Sequence, residues 1–233
     1  MLLLSFSCEA QKPDVERLNR GAVAMVADSG VFISWRLLST DDAQTAFSIA
    51  RDGQTILSAQ HLNSVTNFFD ANGNKDSKYE IRTLNAAGNV IETAAIDSVW
   101  SAPKLRIPLN MPANYTTKDG RESFYTANDC SIGDVDGDGE YEIIVKFDPS
   151  NSHDNSHSGY TSPTILDCYK LNGKQLWRIN LGLNIRSGAH YTQFLVYDFD
   201  GDGKAELACK TAPGSVDGLG KFVSEAADDE AIR

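Results

Sequence analysis

The chain has 233 residues, 41% hydrophobic and 23% charged, the balance of a soluble globular protein with room for one large domain or two ordinary ones. A formal net charge of −11 with no basic stripe argues against nucleic acid as a partner. No stretch approaches the ~20 apolar residues of a membrane span, and four cysteines are too few for a disulfide scaffold.

The run Met1-Leu-Leu-Leu-Ser-Phe-Ser7-Cys8 reads as the tail of a secretory signal without its charged n-region. Residues 1–20 are therefore expected to be a leader and linker. The protein is expected to be exported, to the periplasm, to the cell surface as a lipoprotein, or outside the cell. Cys8 could carry a lipid anchor, although Leu4 stands one place further from it than the usual lipidation pattern. Cys130, Cys168 and Cys209 then remain, an odd number, so at least one thiol should be free. Most of them read as small buried hydrophobes, and no cysteine spacing supports a metal site.

Residues 21–102 read as a β-sandwich of fibronectin type III character. Gly21–Val26, Gly30–Trp35, Ala46–Arg51 and Tyr79–Leu84 mostly alternate apolar and polar residues, as strands with one buried face do. Asp52-Gly53, Asn72-Gly73 and Ala87-Gly88-Asn89 supply turns, and Trp35 is the predicted core tryptophan. A linker from about Trp100 to Tyr115 follows, marked by Pro103, Pro108 and Pro112.

Residues 103–233 change to Gly-, Asp- and Asn-rich loops between short strands, and two of those loops are copies. One is Asp134-Val-Asp136-Gly-Asp138-Gly-Glu140-Tyr-Glu142 and the other Asp198-Phe-Asp200-Gly-Asp202-Gly-Lys204-Ala-Glu206, 64 residues apart from Asp134 to Asp198. Carboxylates at positions 1, 3, 5 and 9 converge only if the chain curls tightly, which the interleaved glycines permit. Ca²⁺ is the expected occupant, being a hard cation that takes several oxygens in irregular geometry. Two such ions would neutralise four of the negative charges. Asp134, Asp136, Asp138 and Glu142 form the first ligand set; Asp198, Asp200, Asp202 and Glu206 form the second. The expected role of both is structural, since a loop that spends its carboxylates on the ion leaves little open coordination.

Each loop enters a strand-like segment, Glu142–Lys146 or Glu206–Lys210, so the spacing is that of a structural repeat. One repeat holds four strands with their connections, which suits a propeller blade. About two blades fit after residue 103, and no propeller closes on two. An incomplete propeller is therefore expected, ending in the helix-like stretch Phe222–Arg233 of a truncated gene product. An EF-hand is excluded: its twelfth position needs a bidentate Glu, and Val145 and Cys209 stand there. An acid at position 9 followed by a strand suits an FG-GAP-type blade.

The surroundings are more specific than the loops. Tyr125-Thr-Ala-Asn128-Asp129-Cys-Ser-Ile-Gly-Asp134, Lys146-Phe-Asp148-Pro-Ser-Asn151-Ser-His153-Asp154-Asn155-Ser-His157-Ser-Gly159-Tyr160, Trp177–Phe194 with Arg186, Gly188 and His190, and Lys210–Gly218 together resemble the rhamnogalacturonan lyases built on a calcium-rich eight-bladed propeller. The resemblance covers most of residues 120–220, and that family also carries a small β-sheet domain before its propeller.

What the resemblance implies is a secreted, pectin-degrading polysaccharide lyase, endo- or exo-acting, here as a fragment and a monomer. Its substrate would be rhamnogalacturonan I, cut by β-elimination: a base removes the C5 proton of galacturonate and the C4 oxygen leaves. The carboxylate must be neutralised by a cation for that proton to become acidic. The resemblance suggests that Asn128 and Asp148 reach the sugar. His190 is a candidate to hold substrate, and the Asn151–His157 run could add a calcium site through Asp154. Lys146 and Lys210 occupy matching places in the repeat, which favours packing or a shared loop contact. The catalytic base is expected beyond Arg233, leaving this chain nearly inactive by itself. The rival reading is a non-catalytic, calcium-dependent carbohydrate-binding or adhesion module; the Asn151–Tyr160 run favours the lyase, because a generic blade does not need it.

Overall fold

The computed structural model describes residues 16–61, 66–188 and 190–224. Cys8, the leader-like run and most of the polar end after Phe222 lie outside them. Among the described residues every regular element is a strand, and no helix is long and apolar enough to cross a membrane. The chain divides into two compact units. One runs from Leu18 to Leu109 and takes in Leu171–Gly173; the other takes the remainder.

The first unit contains β1 (Val23–Ala27), β2 (Gly30–Ser34), β3 (Ala46–Arg51), β4 (Gln54–His61), β5 (Asn67–Asp70), β6 (Tyr79–Leu84) and β7 (Val90–Ile96). They form two antiparallel sheets, β1-β2-β5 and β4-β3-β6-β7. Alternation along the strands sends Ala24, Val31, Ile33, Phe47, Ile49, Tyr79, Ile81 and Ile96 into one core with Trp35. Trp35 meets Phe47 edge-on, ring centroids 5.4 Å apart. The four segments with clear alternation coincide with β1, β2, β3 and β6. The strands without it are β4 and β7, at the edges of their sheet and wet on one side, and β5, only four residues long.

Beneath this core lies a buried ion pair. Arg20 is 3% exposed and donates from Nη1 and Nη2 to Asp41 Oδ2 and Oδ1 at 2.5 and 2.7 Å, and from Nε to Glu92 at 2.8 Å. Its guanidinium also lies 5.2 Å from the centroid of Phe47. Burial by itself would raise the Asp41 pKa, but the Arg20 hydrogen bonds, the Leu38 N–H and the Arg20 charge together hold it below the usual carboxylate value. Asp70 behaves alike: burial opposes ionisation, and Arg51, the Asn72 N–H and the Tyr79 hydroxyl outweigh it.

The second unit contains β8 (Tyr115–Thr116), β9 (Glu122–Ser123), β10 (Tyr125–Gly133), β11 (Glu142–Pro149), β12 (Ile165–Tyr169), β13 (Gln175–Asn180), β14 (Phe194–Tyr197) and β15 (Glu206–Cys209). Strands β10 to β13 form one antiparallel sheet in chain order, and β14-β15 starts another. Among the described residues these strands form no closed propeller. β12 is buried at every residue and β11 at all but Ile143 and Asp148, the pattern of strands covered on both faces. Leu166, Leu181 and Ile185 form a core against which Phe194 and Leu207 of the next hairpin pack. The three described cysteines are free thiols. Cys168 is buried and Cys209 half-buried, whereas Cys130 is exposed on β10, the one of the three outside the buried majority that is expected.

A prediction follows from the sheet unit. Asp41→Ala leaves the buried Arg20 charge with the half-exposed Glu92 as its remaining acidic partner and should cost about 3 kcal/mol in urea unfolding. Because Asp41 and Asp70 have depressed folded pKa values, their contribution is complete above the ordinary aspartate value of about 3.9 and is lost as pH falls through the lower folded values. The urea midpoint should therefore fall below that pH, and less steeply in Asp41→Asn.

Candidate functional site

The two acidic loops join β10 to β11 and β14 to β15. In the first, Asp134 is fully buried; its Oδ1 accepts the N–H of Gly137 at 2.7 Å and its Oδ2 that of Gly139 at 2.8 Å. In the second, Asp198 Oδ1 accepts from Gly201 at 2.7 Å and Oδ2 from Gly203 at 3.0 Å. These four glycines have φ of 79°, 88°, 79° and 93°, a region that side chains disfavour, so the glycine spacing is a backbone requirement. The closing glutamates match as well: Glu142 Oε2 accepts from Val135 and Glu206 Oε2 from Phe199, both at 2.9 Å.

The hairpins lie side by side. The Ala205 N–H donates to the Asp134 carbonyl at 2.7 Å. A Cβ on Gly133 would stand 2.6 Å from Val196 Cγ1 and 2.7 Å from the Ala205 Cβ, so only glycine lets β10 approach this closely.

Asp198, Asp200, Asp202 and Glu206 each bring a carboxylate oxygen within 4.8 Å of the others, and so do Asp134, Asp136 and Asp138. Glu142 stands outside the first group. Its Oε1 is buried without a hydrogen-bond partner, and burial pushes the carboxyl pKa up against the opposing Val135 N–H. That oxygen faces the Lys170 ammonium at 3.6 Å, beyond hydrogen-bond reach, and a buried carboxylate so placed beside three further acids suits a hard cation. Both hairpins fit a metal ion.

The antiparallel register separates these hairpins from the other candidate residues. Gly133 pairs with Glu142 beside the first hairpin, whereas Tyr125 pairs with Pro149 at the far end of the same strands. Asn128 and Asp129 form a bulge between Ala127 and Cys130, opposite Lys146. Lys146 is 1% exposed and its ammonium pairs with the Asp129 carboxylate. Asp148, opposite Thr126, has a buried Oδ1 without a partner; burial raises its pKa and the Lys146 charge opposes the rise.

Two polar loops meet at this end of the sheet. Asn151 Oδ1 accepts from the Ser162 N–H at 3.0 Å. His153 bonds the Asn151 carbonyl through Nδ1 and Arg186 Nη1 through Nε2, both at 2.7 Å. Since a guanidinium only donates, Nε2 is the acceptor and Nδ1 carries the proton. His190 is exposed, with Nδ1 3.9 Å from Asp154 Oδ2, which also accepts from the Tyr191 hydroxyl at 3.3 Å. Asp154 joins no cluster of three or more ligating side chains among the described residues. The matching lysines differ: Lys146 is buried in an ion pair, whereas Lys210 lies 5.8 Å from the centroid of Tyr191. Asp129, the His153–Arg186 contact and the approach of Lys170 to the first hairpin were not foreseen. Lys146 gave a signal, because a lysine inside Ile-Ile-Val-Lys-Phe must have a partner once the strand is buried on both faces.

These features define an all-β protein with paired acidic hairpins at one end of its sheets and a polar end opposite. Residues 104–232 match the C-terminal domain of rhamnogalacturonan lyase family 11, and residues 13–100 match the β-sheet domain of rhamnogalacturonan I lyases. The chain belongs to rhamnogalacturonan lyase family 11. It is 52% identical over 223 residues to the rhamnogalacturonan endolyase YesW of Bacillus subtilis (strain 168), covering 95% of this chain and 35% of YesW. The rhamnogalacturonan exolyase YesX of the same strain is 51% identical over 215 residues, 92% of this chain and 35% of YesX. The crystal structure of exotype YesX superposes with a TM-score of 0.89 at 49% identity, covering 96% of this chain and 37% of that one. The chain thus spans about a third of the length of these relatives.

If the hairpins take a divalent cation, mass action raises stability by about 2.7 kcal/mol at a hundredfold excess over Kd. The melting temperature should rise on replacing chelator with the cation, and Asp198→Asn should reduce the rise.

Proposed function

We propose that this chain is the calcium-bearing, substrate-lining part of an exported rhamnogalacturonan lyase that cleaves rhamnogalacturonan I by β-elimination at galacturonate C4. The observation that carries the reading is the polar end of β10 and β11. There the Asn128 bulge and the unpartnered Asp148 Oδ1 offer hydrogen-bonding groups to a sugar, on strands whose opposite ends carry the acidic hairpins. The named activities of the two Bacillus relatives support it.

In this reading Ca²⁺ is the ion of both hairpins. Asp134, Asp136, Asp138 and Glu142 hold one, and Asp198, Asp200, Asp202 and Glu206 hold the other. The ion supplies charge compensation that fixes each hairpin. Asn128, Asp148 and His190 contact the sugar, Asp148 through the buried Oδ1 that has no partner within the protein. Strand order β1-β2-β5 against β4-β3-β6-β7 supports the fibronectin type III reading of the first unit. The four-stranded sheet in chain order, followed by a hairpin with the same loop, supports successive propeller blades. No catalytic base is assigned among the described residues.

Calorimetric titration with rhamnogalacturonan I oligosaccharides tests the reading. The chain should bind them, and Asn128→Ala or Asp148→Ala should weaken binding about tenfold, the effect of losing one hydrogen bond to a charged or buried group. Absence of binding, or binding indifferent to both substitutions, overturns the assignment. Ultraviolet absorbance of the unsaturated uronate should grow slowly or not at all with the chain alone; rapid turnover would show that the base lies within it.

A further inference from the structure

The two acidic hairpins match in backbone, glycine conformation and glutamate hydrogen bond, yet they differ in the cation that faces their carboxylates. Lys170, just after β12, extends its ammonium into the first hairpin. Nζ lies 2.6 Å from Asp136 Oδ2, 2.6 Å from Asp138 Oδ2 and 3.6 Å from Glu142 Oε1. Its backbone is anchored by the Lys170 N–H to Lys174 carbonyl bond at 2.9 Å, which closes the β12–β13 turn. Three acids of one ligand set therefore converge on a cation that the protein itself supplies. Among the described residues no lysine, arginine or histidine makes an ion pair with Asp198, Asp200, Asp202 or Glu206.

We infer that Lys170 is a tethered counter-cation of the first hairpin, competing with the divalent ion there and making the second hairpin the tighter site. A divalent ion that binds through Asp136 and Asp138 has to displace the ammonium and break two charge-assisted hydrogen bonds. No such displacement is needed at the second hairpin, where Asp198, Asp200, Asp202 and Glu206 each bring a carboxylate oxygen within 4.8 Å of the others and no ammonium pairs with them among the described residues. The first hairpin is thus held together with or without metal, whereas the second depends on it. The 64-residue repeat carries two grades of site rather than two copies of one.

This inference rests on calcium binding, and its test is calorimetry of Ca²⁺ with the chelator-stripped 233-residue chain, beside thermal melting. The wild-type chain should show two classes of site differing about tenfold or more, the cost of breaking one or two charged hydrogen bonds. Asp200→Asn should remove the tighter class and Asp136→Asn the weaker. Lys170→Met should tighten the weaker class toward the other, lower the melting temperature in chelator and leave it unmoved in saturating Ca²⁺. Lys170→Gln, which keeps a polar side chain without the charge, should do the same, and a variant that folds only with calcium supports the inference. Equal sites in the wild type, or affinities indifferent to both Lys170 substitutions, overturn it while leaving calcium binding intact. No calcium binding by wild type or variants overturns the calcium reading, and the competition falls with it.

Discussion

A buried aspartate at the head of each acidic loop is the constraint on which the second unit depends. Asp134 and Asp198 turn both carboxylate oxygens toward backbone N–H groups of their own loops, and those groups can be reached only because the glycines between them adopt positive φ. A carboxylate so placed cannot be neutralised by solvent, so the charge demands either more donors or a cation. The remaining acids of each loop gather around that demand. The strands on either side follow, because the loop fixes which residue of the first strand faces which residue of the second.

The fixed register places chemistry at both ends of the same strands. One end concentrates negative charge and suits a metal. The other carries amides, hydroxyls, a protonated imidazole nitrogen and a guanidinium held by His153 Nε2 and, at 3.3 Å, by the Gly159 carbonyl. The bulge at Asn128 and Asp129 is the junction between regular sheet and polar end. It sets two residues against Lys146, and the buried ammonium and the Asp129 carboxylate compensate each other beside the apolar run Ile143-Ile-Val145 and Phe147. Desolvating Lys146 without Asp129 would be costly, so the bulge and the lysine form one device.

Much of this was legible in the sequence. The acidic loops announced themselves because position 1, 3 and 5 carboxylates with intervening glycines leave few other physical readings, and β1, β2 and β6 because burial alternates from residue to residue along them; β3 is buried at every residue but Arg51. Three things were not legible. Edge strands β4 and β7 lack alternation, since water reaches them and relaxes the pattern. The exposure of Cys130 follows from the place of β10 at the edge of its sheet, where residues 126–130 are all exposed, and no periodicity along the chain shows which strand lies at an edge. The convergence of His153 on Arg186, and of Lys170 on the first hairpin, joins segments 33 and 28–34 residues apart. Such contacts are products of tertiary closure, and a pattern along the chain does not record them.

The meeting of Gly133 with Val196 and Ala205 bears on how such hairpins can be moved or altered. A hairpin grafted singly into another scaffold would arrive without the neighbour whose N–H occupies the Asp134 carbonyl. The gap above Gly133 would be open and the carbonyl left to water. Insertions are constrained in the same way, since lengthening one loop pushes Ala205 away from Asp134 and alters the adjoining repeat. The heritable unit is therefore the pair of adjacent hairpins with the glycine between them, and recombination that cuts between repeats should be tolerated less well than recombination that carries both.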